Sequence, residues 1–449
     1  MKPILPSLLS ALLLVLPAAI QAKHPAKPHA AKAAASAKTE AKKPAAGEDE
    51  GPNAPPEAST ATPAPGKGDA PMAGPPAVDA RAWVLLDYAT GQVLAGEHVD
   101  DPLEPASITK VMTSYVVAAE MKNGKVKMDD EVFISEHAWR SGGAGTDGSF
   151  SALALNSKVK LQDVLHGLII QSGNDAAIAL AEHVAGSEDA FAQLMNQYAQ
   201  RLGMTHSHFV NAHGLSAPGH EMSAHDIAIL SRALIRDFPD HYALYSIKDY
   251  TYGGIKQYNR NGLLWKDASV DGIKTGHTAS AGYCLAASAR RGDQRLISVV
   301  MGVQGNRKEG FKRREEYNLA LLNYGFRFFE THRLYEGGKA IAQPTLWKGE
   351  ANTISLGVKD DIVVTIPRGR YGDLKAAMDV PGRLVAPYAK GQQLGTLRVS
   401  LDGKPLLERP IVAVDGAPEG GFFKRLGDGM MMWFKSDEAP PAPTKPNTQ

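Results

Sequence analysis

The stretch PASITKVMTSYVVAA, residues 105–119, decides how the central part of this chain folds. Its apolar residues recur at helical spacing from Val111 to Ala119, which predicts a helix that begins near Ser107. Residues i and i+3 share one face of a helix, so Ser107 and Lys110 are expected side by side. A serine hydroxyl is a weak nucleophile until a base takes its proton, and burial lowers the pKa of a lysine toward that role. The pair therefore predicts a nucleophilic serine with a lysine base.

The same Ser-x-x-Lys spacing occurs a second time, at Ser157–Lys160. This copy lies in a polar, alternating stretch that has no helix start. We therefore interpret it as a chance match.

A second motif, Ser172-Gly173-Asn174, separates two helical patterns at 161–171 and 175–185. In a loop between helices, Ser172 is placed to pass a proton between Lys110 and a leaving amine. Asn174 is placed to hydrogen-bond a substrate amide. The alternative interpretation is a helix cap, because serine and asparagine are both favoured at that position.

A third motif, Lys274-Thr275-Gly276 with His277 next, precedes a predicted hairpin of strands 283–287 and 296–303. On an edge strand beside the serine, the lysine and threonine suit a carboxylate ligand. The glycine would let a substrate backbone approach closely. The alternative is a solvated lysine in a turn.

Strand patterns lie at both ends of this region, with helices between them. Residues 83–88 and 92–95 predict a hairpin, and 223–236 and roughly 309–331 predict helices. We therefore expect an α/β (α+β) domain in which one antiparallel sheet, built from both ends of the segment, is covered by helices. Residues 340–415 contain short strand patterns between glycine, proline and aspartate turns, which predict a small all-β domain.

Composition excludes several classes of protein. The 49 lysines and arginines balance 48 aspartates and glutamates, for a net charge of +1, which argues against a nucleic-acid binder with a large basic face. Cys284 is the single cysteine, so an intrachain disulfide and a cysteine-rich zinc site are both excluded. We expect Cys284 to be a small buried apolar residue.

The order of the three motifs is more specific than any one of them. Ser-x-x-Lys, then Ser-x-Asn, then Lys-Thr-Gly is the motif set of penicillin-recognising serine enzymes. The chain resembles the low-molecular-mass penicillin-binding proteins, the serine-type D-alanyl-D-alanine carboxypeptidases of bacterial envelopes. The resemblance runs from about residue 80 to 434 and includes NRNGLLW (259–265), VDGIKTGHT (270–278) and TIPRGR (365–370). It implies a transpeptidase/β-lactamase-like catalytic domain, a β-rich second domain and a C-terminal amphipathic anchor.

The resemblance also implies a reaction. Ser107 attacks the carbonyl of a D-Ala-D-Ala bond with Lys110 as its base, and Ser172 relays a proton to the departing D-alanine. Water then hydrolyses the acyl-enzyme, whereas a β-lactam acylates Ser107 and leaves slowly. The implied partners are peptidoglycan peptides ending in D-Ala-D-Ala, with β-lactams as inhibitors. No cofactor and no metal is expected.

Substrate-binding roles follow from the same resemblance. The backbone N–H groups of Ser107 and His277 are expected to form an oxyanion hole. Lys274, Thr275 and Arg260 are expected to hold the terminal carboxylate, although Arg260 also has a purely structural interpretation. One segment, RSGGAGTD at residues 140–147, is unlike the family and lies where a loop near the active site is expected.

The N-terminal residues have the features of a targeting segment. An apolar run from Ile4 to Ala19 is followed by small residues up to Ala22, which predicts a secretory signal peptide over residues 1–22. A retained signal anchor is the alternative. Residues 23–78 are rich in alanine, proline and lysine, which predicts a disordered tether. We expect an exported protein that is peripheral to the periplasmic face of the bacterial inner membrane.

The remaining domain limits follow from these patterns. The catalytic domain is predicted over 79–335, the β-rich domain over 336–417 and a disordered tail over 436–449. Between the last two, residues 418–435 predict an amphipathic helix with one apolar side, formed by Phe422, Leu426, Met430, Trp433 and Phe434. This helix resembles the interfacial membrane anchor of the family. Packing of the helix on the β-rich domain is the alternative.

Three other functions remain open at this point. A β-lactamase would use the same serine and lysine with fast deacylation, and an envelope scaffold would use the β-rich domain without catalysis. A metalloenzyme would use the histidines near His220 and His225. Residues five apart point about 140° away from each other on a helix, so these two are not expected to share a metal. His213 is expected either to orient groups near the active site or to be structural.

Overall fold

The computed structural model describes residues 73–146, 148–435 and 442–444. The predicted signal peptide at 1–22 and the predicted tether up to residue 72 lie outside the described residues. So does the predicted tail, apart from 442–444, where Thr444 N–H donates to the Ile341 carbonyl at 2.8 Å.

The described residues form eighteen strands. They are β1 (Ala82–Asp87), β2 (Val93–Glu97), β3 (Glu131–Phe133), β4 (Lys158–Lys160), β5 (Asp249–Tyr252), β6 (Ile255–Tyr258), β7 (Val270–Thr278), β8 (Gly282–Arg291), β9 (Gln294–Val303), β10 (Phe329–Tyr335), β11 (Ala340–Ala342), β12 (Leu346–Trp347), β13 (Leu356–Gly357), β14 (Ile362–Pro367), β15 (Leu374–Asp379), β16 (Leu384–Val385), β17 (Gln393–Leu401) and β18 (Lys404–Ala413).

The described α-helices follow the same order. They are α1 (Thr109–Lys122), α2 (Glu136–Gly142), α3 (Leu161–His166), α4 (Asn174–Ala185), α5 (Glu188–Leu202), α6 (Ala224–Asp237), α7 (Pro239–Tyr242), α8 (Leu263–Lys266), α9 (Arg307–Phe328) and α10 (Phe422–Phe434). Two short turns matter for the site: a 3-10 turn at Ala106–Ile108 leads into α1, and a π-helical turn at Gly167–Gln171 follows α3.

One antiparallel sheet, in the order β2-β1-β9-β8-β7, forms the centre of the first domain. Alternate side chains of a strand point to opposite faces of the sheet. In β1, Val84 and Leu86 join the core that contains α1, α4 and α6, whereas Trp83 and Leu85 join the cluster that contains Leu321 on α9. The sheet is therefore buried on both faces, and the α/β (α+β) fold with one antiparallel sheet is confirmed.

The second domain is built mainly from strands, with one short 3-10 turn at Tyr371–Asp373. Its main sheet has the order β11-β13-β18-β17-β15, and its core contains Leu356, Leu397, Val399 and Ile411. Short strands suit this sequence because β-branched residues alternate with polar residues between frequent turns. The predicted all-β domain is confirmed.

One helix ends earlier than predicted. The long helix predicted over 309–331 is α9, which begins at Arg307 and ends at Phe328. Residues 329–331 belong to β10 and pair with residues 365–367 of β14. Phe329 is buried at the start of this strand, so its backbone groups need hydrogen-bond partners. The pairing of β10 with β14 supplies the hydrogen bonds that a further turn of helix would otherwise have made.

The last helix, α10, contacts the β-rich domain through a polar residue. The buried Asp428 carboxylate accepts the backbone N–H of Lys348 at 2.7 Å and the amine of Lys424 at 2.8 Å. The apolar side chains of this helix are mostly exposed, and Trp433 is 91% exposed. Among the residues that the structure describes, no helix is long and apolar enough to cross a membrane.

Candidate active site

Ser107 and Lys110 meet at the start of α1. The Lys110 Nζ lies 2.8 Å from the Ser107 Oγ. Lys110 is 1% exposed and Ser107 is 8% exposed, so the pair lies in a low-dielectric surrounding with a narrow opening to solvent. A hydrogen bond between these atoms is stronger there than in water. The geometry lets a proton pass between the serine and the lysine.

The Lys110 amine also contacts two further elements. It donates to the Asn174 Oδ1 at 2.7 Å and to the backbone carbonyl of His213 at 2.7 Å. These contacts fix the amine in space because their acceptors belong to two separate parts of the chain, the start of α4 and the loop of His213. Asn174 is the first residue of α4, and its side chain bonds to Lys110 rather than serving as the helix cap, so the cap interpretation of Asn174 is wrong.

Ser172 is paired with the second lysine. The Lys274 Nζ donates to the Ser172 Oγ at 2.9 Å and to the Thr275 carbonyl at 3.2 Å. Ser172 is fully buried and has a φ of 69°, in the left-handed region. A non-glycine residue in that region costs about 1–3 kcal/mol, a strain that clusters at functional sites.

Strand β7 passes directly over the turn that carries Ser107. A Cβ at Gly276 would lie 2.8 Å from the Pro105 carbonyl oxygen and 3.2 Å from the Ile108 nitrogen. Only glycine permits this approach without movement of one of the two backbones. β7 is an edge strand of the central sheet, as predicted, so one of its backbone edges is unpaired within that sheet.

The other predicted substrate-binding residues border the same site. Thr275 is buried on β7 beside Lys274, and the His277 ring stacks on Tyr283 with 4.0 Å between centroids. Arg260 is 8% exposed, and its backbone N–H donates to the Ile170 carbonyl at 3.3 Å. Arg260 therefore lies next to the π-helical turn that leads into Ser172.

The loop that contains His213 is held by Glu188. The His213 Nε2 lies 3.3 Å from one Glu188 oxygen, and the Ala212 N–H donates to the same oxygen at 3.0 Å. Burial, together with the nearby Lys110 charge, lowers the pKa of His213 to about 3. A neutral ring suits this place because its Nδ1 accepts the Leu215 N–H at 3.1 Å. His213 therefore supports the loop whose carbonyl binds Lys110.

The segment that differs from the family lies against Asn174. A Cβ at Gly142, within this segment, would meet the Asp175 backbone, and a Cβ at Gly148, just after it, would meet the Asn174 Nδ2. The Asn174 N–H also donates to the Ser149 carbonyl at 2.8 Å. Glycine at positions 142 and 148 thus has a local reason, which is the close approach of both residues to the start of α4.

Two residues near the site were missed from the sequence. Arg314, on α9, is 2% exposed and its guanidinium reaches the Gly276 carbonyl at 3.3 Å, behind the edge strand. Asp175 follows the second motif and is 1% exposed. Neither residue belongs to a sequence motif with a recognisable spacing. Only their burial in the folded structure distinguishes them from charged residues at the surface.

The histidines considered for a metal have protein partners. His220 contacts the Thr109 Oγ1 at 2.8 Å and accepts the Val210 N–H at 3.0 Å, while His225 pairs with Asp100. In the described part of the chain, no three histidine, cysteine, aspartate or glutamate residues are arranged to hold a metal ion. The second Ser-x-x-Lys copy lies elsewhere, on and before β4, where the Ser157 Oγ donates to the Ala154 carbonyl.

Comparison with known families agrees with this architecture. Residues 69–305 match the family model described as D-alanyl-D-alanine carboxypeptidase. Residues 329–417 match the model described as penicillin-binding protein 5, C-terminal domain. The two matches follow each other in the order of the two domains.

Individual relatives are similar over most of their length. D-alanyl-D-alanine carboxypeptidase DacA of Escherichia coli is 46% identical over 364 residues, which is 80% of this chain and 89% of the relative. DacF of Bacillus subtilis is 35% identical over 80% of this chain and 90% of the relative. Penicillin-binding protein 5 of Haemophilus influenzae superimposes with a TM-score of 0.72 at 42% identity, covering 77% of this chain and 100% of that structure.

These relatives are carboxypeptidases and penicillin-binding proteins, so a β-lactamase and a non-catalytic scaffold are not favoured. The matched residues also include the Ser107–Lys110, Ser172–Asn174 and Lys274–Gly276 motifs. The chain belongs to the serine-type D-alanyl-D-alanine carboxypeptidase family of low-molecular-mass penicillin-binding proteins.

Proposed function

We propose that Ser107 is the nucleophile that removes the terminal D-alanine from peptidoglycan pentapeptides. The 2.8 Å contact between the Lys110 Nζ and the Ser107 Oγ carries this proposal. In the neutral amine form, Lys110 takes the hydroxyl proton as Ser107 Oγ attacks the carbonyl of the D-Ala-D-Ala bond. The bond to the terminal D-alanine breaks and leaves an acyl-enzyme. Water then hydrolyses the Ser107 ester and restores the free hydroxyl.

Ser172 serves the leaving group. Its Oγ lies in the buried site and receives a hydrogen bond from Lys274. The D-alanine nitrogen needs a proton as its bond to the carbonyl breaks, and a hydroxyl that donates one proton while accepting another supplies it. Asn174 would hydrogen-bond the substrate amide with its Nδ2, since its Oδ1 is held by Lys110.

Lys274, Thr275 and Arg260 hold the carboxylate of the terminal D-alanine in this proposal. All three are buried near Ser172, and charge-assisted hydrogen bonds are the strong ones in a desolvated site. The backbone N–H groups of Ser107 and His277 stabilise the oxyanion. Gly276, which precedes His277 on β7, keeps this strand close to the turn that carries Ser107. A β-lactam presents a carbonyl and a carboxylate in the same arrangement, so it acylates Ser107.

Release of D-alanine from a pentapeptide ending in D-Ala-D-Ala tests this reaction. We expect Ser107→Ala to abolish release, whereas Ser157→Ala, in the second Ser-x-x-Lys copy, keeps it. Loss of one oxyanion-hole donor lowers such rates by about 100- to 1,000-fold, so loss of the nucleophile itself should exceed that range. Release by the Ser107→Ala variant at the wild-type rate would contradict the proposal.

We also propose that α10 binds a membrane surface. Phe422, Leu426, Met430, Trp433 and Phe434 are between 54% and 91% exposed, whereas Asp428 is turned into the β-rich domain. An exposed apolar helix face of this size is typical of a binding surface. Trp433 and Phe434 would enter the interface between headgroups and acyl chains. Lys424, Arg425 and Lys435 would lie near anionic headgroups.

Flotation with anionic phospholipid vesicles tests this surface. We expect wild-type protein to float with the vesicles and a Trp433→Asp/Phe434→Asp variant to remain in the soluble fraction. Leu406→Asp is the matched control because Leu406 is also exposed but lies on β18. Equal flotation of the wild type and the α10 variant would show that this helix does not mediate binding.

Export completes the proposal. We propose that residues 1–22 direct the chain out of the cytoplasm and are removed, that 23–78 form a tether, and that the catalytic domain spans 79–335 on the periplasmic side of the inner membrane. The β-rich domain then spans 336–417, α10 lies within 418–435, and 436–449 form a tail. Mass spectrometry of the mature protein from a periplasmic fraction checks the first limit, and a mature N-terminus at residue 1 would contradict it.

A further inference from the structure

Asp175 is a buried acidic residue that the reaction above does not use. It follows Asn174 in α4 and is 1% exposed. Its carboxylate accepts the Ser151 N–H at 2.8 and 3.0 Å, the Leu153 N–H at 3.2 Å and the Ala176 N–H at 2.9 Å. Two of these donors belong to the segment before β4, which is separate in sequence from α4. The carboxylate therefore joins two parts of the chain.

The segment that Asp175 holds is the one that supports Asn174. The Asn174 N–H donates to the Ser149 carbonyl at 2.8 Å, and a Cβ at Gly148 would collide with the Asn174 Nδ2. Asn174 in turn accepts a hydrogen bond from Lys110 at 2.7 Å. A continuous set of contacts thus runs from Asp175 through residues 148–153 to Asn174 and Lys110.

We propose that Asp175 is a positioning residue for acylation, whose ionised carboxylate clamps residues 148–153 onto Asn174 and so orients the Lys110 amine. The inference rests on the proposed roles of Ser107 and Lys110. Asp175 does not touch the substrate, and it acts through Asn174. A carboxylate accepts several backbone N–H groups at once, whereas a protonated or amidated side chain offers fewer acceptor sites and adds a donor.

The charge state of Asp175 supports this role. Burial raises the pKa of Asp175 to about 6, although hydrogen bonds from the backbone of Ser151, Leu153 and Ala176 oppose the rise. The carboxylate is therefore ionised at neutral pH and loses its charge in mild acid. Tyr250 and Tyr252 are the titratable groups across from it on β5, and burial raises the pKa of both, so they stay neutral over this range. The charge of Asp163 on α3 also raises the pKa of both tyrosines.

The test measures the second-order rate of acylation by a fluorescent penicillin over pH 5 to 8, together with the free energy of unfolding in urea. We expect the wild-type rate to rise roughly tenfold per unit below the pKa of Asp175 and to level off above it. Asp175→Asn should acylate at least about tenfold more slowly at neutral pH, and its rate should no longer change with an ionisation at the pKa of Asp175. Asp163→Asn is the matched control, since it removes a nearby negative charge that clamps no backbone, and it should behave as the wild type.

A second variant approaches the same contact without a charge change. Gly148→Ala places a methyl group against Asn174 and should slow acylation while the acid limb stays at the wild-type pH, whereas Gly372→Ala, with open space around it, should have no effect. Three results would each overturn the proposal: wild-type rates in Asp175→Asn or Gly148→Ala, an acid limb in Asp175→Asn that coincides with that of the wild type, or a rate loss in Asp175→Asn matched by unfolding. Labelling of a Ser107→Ala variant would instead contradict the proposed nucleophile.

Discussion

The Nζ of Lys274 lies 2.9 Å from the Oγ of Ser172, which parallels the 2.8 Å contact between Lys110 and Ser107. The site therefore contains two buried serine–lysine pairs, one from α1 and one that joins the turn before α4 to the edge strand β7. The first pair suits nucleophilic attack, and the second suits the leaving group and its carboxylate. This division of roles leads to separate predictions for each pair.

Replacement of Ser172 by alanine should slow both D-alanine release and penicillin acylation. A positioned proton donor contributes about 100- to 10,000-fold to such a step, and we expect a loss within this range. The measurement is the steady-state rate of release with the unfolding free energy as a check on folding. Ser246→Ala is the control, because the Ser246 Oγ is exposed and donates to the carbonyl of Ala243. A Ser172→Ala variant with wild-type turnover would remove Ser172 from the reaction.

Lys274→Ala should mainly impair capture of the substrate carboxylate. Truncation of one partner of a buried charge pair costs about 2–5 kcal/mol, which predicts a large fall in kcat/KM. Amidation of the substrate C-terminus should therefore reduce kcat/KM far more for the wild type than for the variant. An equal effect of amidation on both proteins would show that Lys274 does not bind the carboxylate.

Gly276→Ala should block the site through sterics rather than chemistry. The added methyl would lie 2.8 Å from the Pro105 carbonyl and 3.2 Å from the Ala106 Cβ, so β7 and the serine turn must separate. We expect acylation to fall by at least about tenfold, since small displacements of reacting groups have effects of this size. Acylation kinetics of this variant and of Gly372→Ala give the comparison. If Gly276→Ala acylates as fast as the wild type and the Gly372→Ala control, the close approach of β7 to the serine turn has no role in acylation.

Buried histidines should make the free energy of unfolding fall in mild acid. Burial lowers the pKa of His213 to about 3 and the pKa of both His220 and His241 to about 4. As the pH drops below about 6.5, these histidines become protonated in the unfolded chain before they do in the folded protein. The stability that they contribute is therefore complete above that pH and is lost as the pH falls toward their pKa values in the folded protein. Each group should account for roughly 2 kcal/mol of this loss near pH 5. The raised pKa of Asp175 acts in the opposite direction and reduces the loss.

Urea unfolding at a series of pH values measures this effect. His241 is the residue to change, because its Nε2 lies 2.7 Å from the Ser114 Oγ and the residue has no role in the proposed reaction. We expect His241→Gln to show a shallower decline in stability between neutral pH and pH 5. Parallel curves for the two proteins would refute the assignment of the acid sensitivity to this histidine.

The motifs predicted which side chains the fold brings together, because their order and local context constrain each other. Ser107 and Lys110 are brought together by their spacing of three residues, which runs from the 3-10 turn into α1, and Ser172 and Lys274 by a fold that the ordered motifs identify. The predicted hairpins also correspond to β1–β2 and β8–β9, because alternation and turn residues are local signals. The structure differs from the prediction at Phe328, where α9 ends because the following residues pair with β14. No local sequence signal indicates such a distant partner.

Contacts through space were beyond the reach of the sequence. Arg314 reaches the Gly276 carbonyl from a helix 38 residues later in the chain, and Glu188 holds the His213 loop from α5. Asp175 looks like an ordinary first-turn acid of a helix, where such residues favour the dipole. Its burial and its hydrogen bonds to residues 151 and 153 appear only once the loop is packed against α4.

The most direct test of the central claim is the location of the penicillin adduct. The protein is labelled with penicillin, digested, and its acylated peptide is identified by tandem mass spectrometry. The account predicts one acyl group on Ser107, the serine whose Oγ receives the Lys110 hydrogen bond. It also predicts no adduct in Ser107→Ala and an unchanged adduct in Ser157→Ala. An acyl group on Ser157 or Ser172, or labelling that persists in Ser107→Ala, would contradict the assignment of the nucleophile.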